Sequence, residues 1–162
     1  MSAETIKASF AVPTMISEAY LGDLTDEELF VRPVEGANHI AWQLGHLIAS
    51  ENHMINQVRP DSMPPLPDGF AEKHSKETSA VDDPAKFQSK EEYLTLMQEQ
   101  RAGTIAVLDS MSEDDLNSPS PEALQRLGSN LAGIFIMQGV HWTMHAGQWA
   151  VIRRKLGRPP LF

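Results

Sequence analysis

At 162 residues, with 41% hydrophobic and 22% charged residues, the chain has the size and balance of one globular domain, 1–162, able to bury a core without cross-links. A formal charge of −9 opposes binding to phosphate backbones, and the lack of cysteine excludes disulfides, thiolate metal ligands and a thiol nucleophile of the chain's own. No apolar run reaches the roughly eighteen residues of a membrane span, and the N-terminus MSAETIKASF carries no secretion signal. The expectation is a soluble, cytoplasmic protein with no nucleic-acid and no membrane partner.

Four long segments carry helical periodicity and strand-spaced β-branched runs are absent, which predicts an all-α chain. The first helix is expected from about Glu4 to Leu21, with Ile6, Phe10 and Tyr20 among its apolar residues and Pro13 as a kink or a late start. In TDEE, Thr25 can cap the amide of Glu28 while Glu28 reaches back, so a short turn is expected at 25–30. The second long helix is placed from Asn38, as its cap, to about Val58, with Pro60 ending it. Residues 59–88 are rich in Pro, Asp and Ser without sustained periodicity; in a helix bundle a connection of that length reads as a crossover between parallel neighbours. The third helix begins at Ser89, where Glu92 completes a capping box, and carries Tyr93, Leu94, Met97, Ile105 and Leu108 on its apolar side. A second capping pattern, SEDD, follows at 112. The fourth helix is expected to begin between Pro121 and Asn130 and to end near Leu156, before Gly157 and Pro159. Its basic end, with Arg153, Arg154 and Lys155, reads as solvated side chains complementing the helix dipole.

The stretch HWTMHAGQW at 141–149 sets His141 and His145 about 40° apart around the helix, with Gln148 beside them. Ile134, Met137, Met144, Ile152 and Leu156 lie within about 60° of His141, so this is expected to be the core-facing stripe. Inward imidazoles need partners, each unsatisfied polar group costing roughly 1–3 kcal/mol. They are either hydrogen-bonded within the core or part of a metal site, and a third ligand decides. In the second helix His39, His46 and His53 recur every seven residues on a face shared with Trp42, Gln43, Ser50 and Gln57. That face is either a solvated surface or the lining of a polar cavity. Ile40, Leu44, Leu47, Ile48 and Ile55 form an apolar stripe on the other side, a candidate homodimer interface.

Seven helical residues span about 10.5 Å against a metal–nitrogen bond of about 2.1 Å, so only one of the three histidines can join a given ion. His46 is favoured, since it lies mid-helix and follows Gly45, whose missing side chain permits close approach. His39 and His53 are read as exposed or capping, and His74 as solvent-facing. Glu51 points about 140° from His46 on an ideal helix, which argues against a glutamate general base.

The segments NHIAWQLGHLIASE at 38–51 and HWTMHAGQWAVIRRKLGRP at 141–159, with the preceding TDEELFVRPVEGAN, resemble the DinB-like superfamily of metalloenzymes. The resemblance implies a four-helix bundle with up-down-down-up connections, in agreement with a long crossover between helices 2 and 3. It implies a metal triad on His46, His141 and His145, with Gln148 of the HxGQ continuation as a contact to a bound cofactor or substrate. Some related proteins transfer sulfur nucleophiles using low-molecular-weight thiols such as bacillithiol or mycothiol, and the family is often dimeric.

Three neutral imidazoles suit a divalent ion such as zinc or nickel and leave positions open for water or substrate. The expectation is therefore a metal-dependent enzyme, in a homodimer, that activates a small thiol co-substrate for transfer to an electrophilic small-molecule substrate. A metal-dependent hydrolase and a non-enzymatic metal-binding bundle are the alternatives.

Overall fold

The computed structural model describes residues 1–161 and is all-α, with no strand among the described residues and one isolated bridge between Pro119 and Asn130. Four helices are long: α1 (Ala3–Gly22), α2 (Ile40–Val58), α4 (Lys90–Asp109) and α6 (Leu131–Lys155). Two are short, α3 (Phe70–Lys73) and α5 (Glu113–Asn117), and 3₁₀ turns at Glu27–Phe30, Lys76–Thr78, Pro84–Lys86 and Glu122–Leu124 occupy the connections.

Side-chain caps set where the helices start. Ser89 and Glu92 cap α4 reciprocally, Ser112 and Asp115 do the same for α5, and the Asn130 side chain accepts from the Gly133 amide to open α6. Before α2 the cap is His39 rather than Asn38: its Nδ1 accepts from the Trp42 amide at 3.1 Å while Nε2 donates to the Val81 carbonyl at 2.9 Å. At the far end, Gly157 adopts φ 72°, and its amide and that of Arg158 satisfy the Arg154 and Arg153 carbonyls. Pro13 sits within α1 without ending it, and the Ser9 carbonyl four residues earlier lies against Gly139 of α6.

α1 packs chiefly against α6, and α2 against α4 and α6. The stripe Ile40, Leu44, Leu47 and Ile48 is fully buried among Tyr93, Met97, Trp149 and Ile152. It is therefore internal to the protomer, which removes it as a dimer interface. Arg153 also departs from expectation: it is only 2% exposed, ion-pairs with Asp23 and donates to the Tyr20 carbonyl at 2.9 Å. A solvated reading fails because the C-terminal turn of α6 meets the C-terminal end of α1, where the Asp23 carboxylate and the Tyr20 carbonyl take the guanidinium.

The 59–88 connection is ordered by contacts with α2. Trp42 Nε1 donates to the Ser75 carbonyl at 3.0 Å, and Asn52 Nδ2 donates to the Pro64 carbonyl at 2.9 Å. His74, expected to face solvent, is 2% exposed. Its Nδ1 donates to the Phe70 carbonyl at 2.7 Å and its Nε2 accepts from the Tyr93 hydroxyl at 2.6 Å. The reason is Gly45: a Cβ there would overlap the His74 ring, so the missing side chain is the slot into which the 59–88 connection inserts. Among the described residues no helix is long and apolar enough to cross a membrane.

Candidate metal centre

α2 and α6 are joined side by side through a series of cross-helix contacts. Gln43 meets Trp149 and His145, Glu51 meets Trp142, and the Gln138 amide lies 3.7 Å from the Met54 sulfur. Between the first two of these levels His46 faces His141 and His145. Their ring centroids are 5.2 and 5.6 Å from that of His46 and 5.1 Å from each other. One nitrogen from each ring lies within 4.8 Å of the other two, an arrangement compatible with a metal ion. His39, His53 and His74 are outside this cluster.

The arrangement lies to one side of where the stripe argument set it. The buried face of α6 runs through Phe135, Gln138, Trp142, Ala146, Trp149 and Arg153, while His141 and His145 are half-buried on its flank and Met144 is 60% exposed. α6 packs against α1 and α2 at once, so its buried arc is wide and centred on the two tryptophans. The histidines occupy the edge of that arc facing α2, at the rim of a groove rather than in the middle of the core. The polar face of α2 is correspondingly a lining: His46, Ser50, His53 and Gln57 border that groove.

Burial pushes the pKa of all three rings down, to about 4 for His141 and His145, with the charged forms of neighbouring histidines a smaller cause at those two. Near neutral pH the rings are neutral, the form in which one nitrogen of each keeps a lone pair for a metal. His46 is further held by stacking on Trp42, the rings 5.0 Å apart and 6° from parallel.

Gln43, assigned no role from the sequence, orients the third ring. The indole Nε1 of Trp149 can only donate, so the atom it reaches at 2.9 Å is the Gln43 oxygen. That same Oε1 lies 2.9 Å from His145 Nδ1, which must then carry the proton, leaving Nε2 free as a ligand atom. The amide nitrogen of Gln43 donates to the Asn38 carbonyl at 2.7 Å and to Gln148 Oε1 at 3.1 Å. Gln148 therefore reaches the triad through Gln43, and its own side chain lies on the exposed surface. The only signal was a glutamine three residues before His46 on the histidine face, a residue type equally ordinary on a solvated stripe.

Glu51 is 2% exposed and committed elsewhere. It accepts from Thr104 Oγ1 at 2.7 Å, Trp142 Nε1 at 3.1 Å and Arg101 Nη2 at 3.1 Å, which agrees with its expected direction away from His46. The cluster is thus a nitrogen-only donor set with no glutamate base from α2.

None of the curated proteins matches the chain. The family model that does match spans residues 14–149, a stretch containing His46, His141, His145 and Gln43: the chain belongs to the DinB superfamily.

Proposed function

We propose that His46, His141 and His145 hold a divalent metal, zinc or nickel, and that the protein uses it to activate a low-molecular-weight thiol for transfer to an electrophilic small molecule. The observation that carries this is the convergence of three ligand nitrogens within 4.8 Å on two helices. Neutral imidazoles are the donor chemistry that borderline divalent ions take, and three protein ligands leave room for an exchangeable one. A divalent ion supplies Lewis acidity, lowering the pKa of a thiol or water that it binds.

The chain's own residues prepare that step. Gln43 keeps the proton of His145 on Nδ1, Trp42 covers one face of His46, and burial keeps the rings neutral. No acidic residue lines the groove beside the triad, and Glu51 is bound by three donors. This favours a nucleophile acidified by the metal over a hydrolase that depends on a carboxylate base. With no cysteine in the chain, a sulfur nucleophile would arrive as a co-substrate.

The frame we read is a four-helix bundle connected up-down-down-up. Gly139 near Ser9 and Arg153 near Tyr20 support α1 and α6 running the same way, while the Lys7–Asp109 pair and the Lys90–Leu24 contact support α1 and α4 running opposite ways. A homodimer would use a different surface from the α2 stripe. Val140, Met144 and Val151 on α6 and Val12 and Met15 on α1 are all exposed, and sedimentation of a Met144→Lys variant tests that surface.

The main test is elemental analysis of the purified protein beside His46→Ala and His141→Ala, followed by conjugation assays with bacillithiol, mycothiol, glutathione and coenzyme A. Loss of metal in both variants is expected from one shared site. Full occupancy in either variant breaks the triad, and no metal-dependent turnover with any of the four thiols removes the transferase reading.

A further inference from the structure

Beside the triad, α2 and α6 leave a groove of about 440 Å³ that is lined by His46 and His141 and walled by Ala123, Leu124, Arg126 and Leu127. Along α2 it carries the polar side chains Ser50, His53 and Gln57, and apolar ones lie among them. Met54, Leu124 and Met137 line it, and Met54 and Leu124 belong with Ile134 to one small buried cluster, which holds this wall against both helices. Arg126 also lines it, is exposed, and makes no hydrogen bond or ion pair among the described residues. The chain carries 22 acidic and 13 basic residues, yet none of the groove's lining residues is acidic. Glu122, at the start of the same turn, is exposed and does not line it.

An unpaired guanidinium beside Met54, Leu124 and Met137, with no acidic lining residue, sets a positive charge in the groove of a chain whose net charge is −9. Guanidinium groups recognise carboxylates through charge-assisted hydrogen bonds, and an apolar lining between polar ends is the usual build of a small-molecule site. Met54 lies eight residues beyond His46, which is about 12 Å along α2. Leu124 packs against Met54, so the wall that carries Arg126 meets α2 on the order of 10 Å from His46.

We infer that the groove binds a small organic anion of medium length: its carboxylate meets Arg126, its apolar body lies over Met54, Leu124 and Met137, and its other end reaches the triad. Only that last contact rests on the metal reading above; recognition of the carboxylate and the apolar body does not. For the thiol-transfer function this makes one of the two reactants an acid whose reactive end is remote from its carboxylate.

The probes are octanoate, with octanol as its uncharged counterpart, titrated calorimetrically into chelator-stripped protein and into Arg126→Glu and Arg126→Lys. Mercaptooctanoate is then compared with octanoate on zinc-loaded protein. Octanoate is expected to bind about tenfold or more tighter than octanol, the equivalent of one charge-assisted hydrogen bond. Arg126→Glu is expected to abolish that preference and Arg126→Lys to keep part of it. On the zinc-loaded protein, mercaptooctanoate is expected to bind tighter still. Octanoate binding no better than octanol, or binding equally well to Arg126→Glu, overturns the inference. If octanoate discriminates as expected while the thiol adds nothing with zinc, recognition of the carboxylate stands and the contact of the ligand's other end with the triad falls, whereas failure of the metal-thiol reading shows separately in the metal analysis and conjugation assays.

Discussion

Gln43 on α2 accepts the Nδ1 proton of His145 on α6 at 2.9 Å, although the two residues are 102 positions apart in the chain. The same oxygen takes the indole proton of Trp149, so one amide sets the tautomer of a candidate ligand and joins the helices that carry it. Gln43→Ala is expected to lower zinc affinity by roughly 10–100-fold, the range seen when partners behind a metal ligand are removed. It should also cost about 1–3 kcal/mol of stability, because the Trp149 donor loses its partner. A zinc titration against a competing chelator measures the first effect and urea unfolding of the metal-free protein the second. Unchanged zinc affinity would show that the His145 ring needs no support from Gln43.

Gly45 and His74 fit together as slot and insert. A methyl at position 45 overlaps the ring, and the ring has little freedom to move because both nitrogens are engaged, by the Phe70 carbonyl and the Tyr93 hydroxyl. Replacing a helical glycine with alanine would otherwise gain up to about 1 kcal/mol. Gly45→Ala is nevertheless expected to destabilise by about 1–3 kcal/mol through overpacking. In a His74→Ala background the same change should become neutral or stabilising. Urea unfolding of the four proteins of this cycle measures the coupling, and additive effects would mean that the slot carries no strain.

The division between legible and illegible features follows the distance over which each is decided. The capping boxes at Ser89 and Ser112 are set within four residues, and they stand as read. His39 displaces Asn38 as a cap because Val81, from the 59–88 connection, holds its other nitrogen. Arg153 looked solvated from its own helix, while its partner Asp23 lies 130 residues away. The triad came from the four-residue spacing together with the family resemblance, whereas the space over Gly45, which had favoured His46, is taken by His74. Gln43 could not be assigned, because its role depends on Trp149 and His145 meeting one oxygen. His74 was misread for the same reason, since burial in a loop is decided by a slot on another element.

Glu51 presents the opposite case, a buried carboxylate near the site with a structural task. Thr104, Trp142 and Arg101 all donate to it, and Arg101 also lies over the Phe10 ring at 4.4 Å. Removing one partner of a buried ion pair leaves an uncompensated charge, so Glu51→Ala is expected to cost about 3–5 kcal/mol. Zinc binding at the folded site should change far less, because no atom of Glu51 belongs to the histidine cluster. Denaturant unfolding and zinc titration at low temperature separate the two effects. A large loss of zinc affinity in protein that is still fully folded would return Glu51 to the candidate site.

The buried histidines make stability in the metal-free protein sensitive to acid. Burial lowers the pKa of His39, and lowers that of His74 from 6.5 to about 4 despite the opposing Phe70 carbonyl. The unfolded chain therefore takes up protons near pH 6.5 that the folded chain refuses until about pH 4. The stability that His74 contributes is present above pH 6.5 and is lost as pH falls towards 4, by on the order of 3 kcal/mol for a shift of this size. His141 and His145, also lowered to about 4, act in the same direction. Chelator-stripped protein is the right sample, because a bound metal would be released by acid over the same range and steepen the curve by itself. Urea unfolding at pH 7, 5.5 and 4.5 should give a falling free energy, with His74→Gln less stable at pH 7 but flatter across the series. If the variant and the parent fall in parallel, His74 is not the group that resists protonation, and the acid sensitivity must reside in the other buried rings.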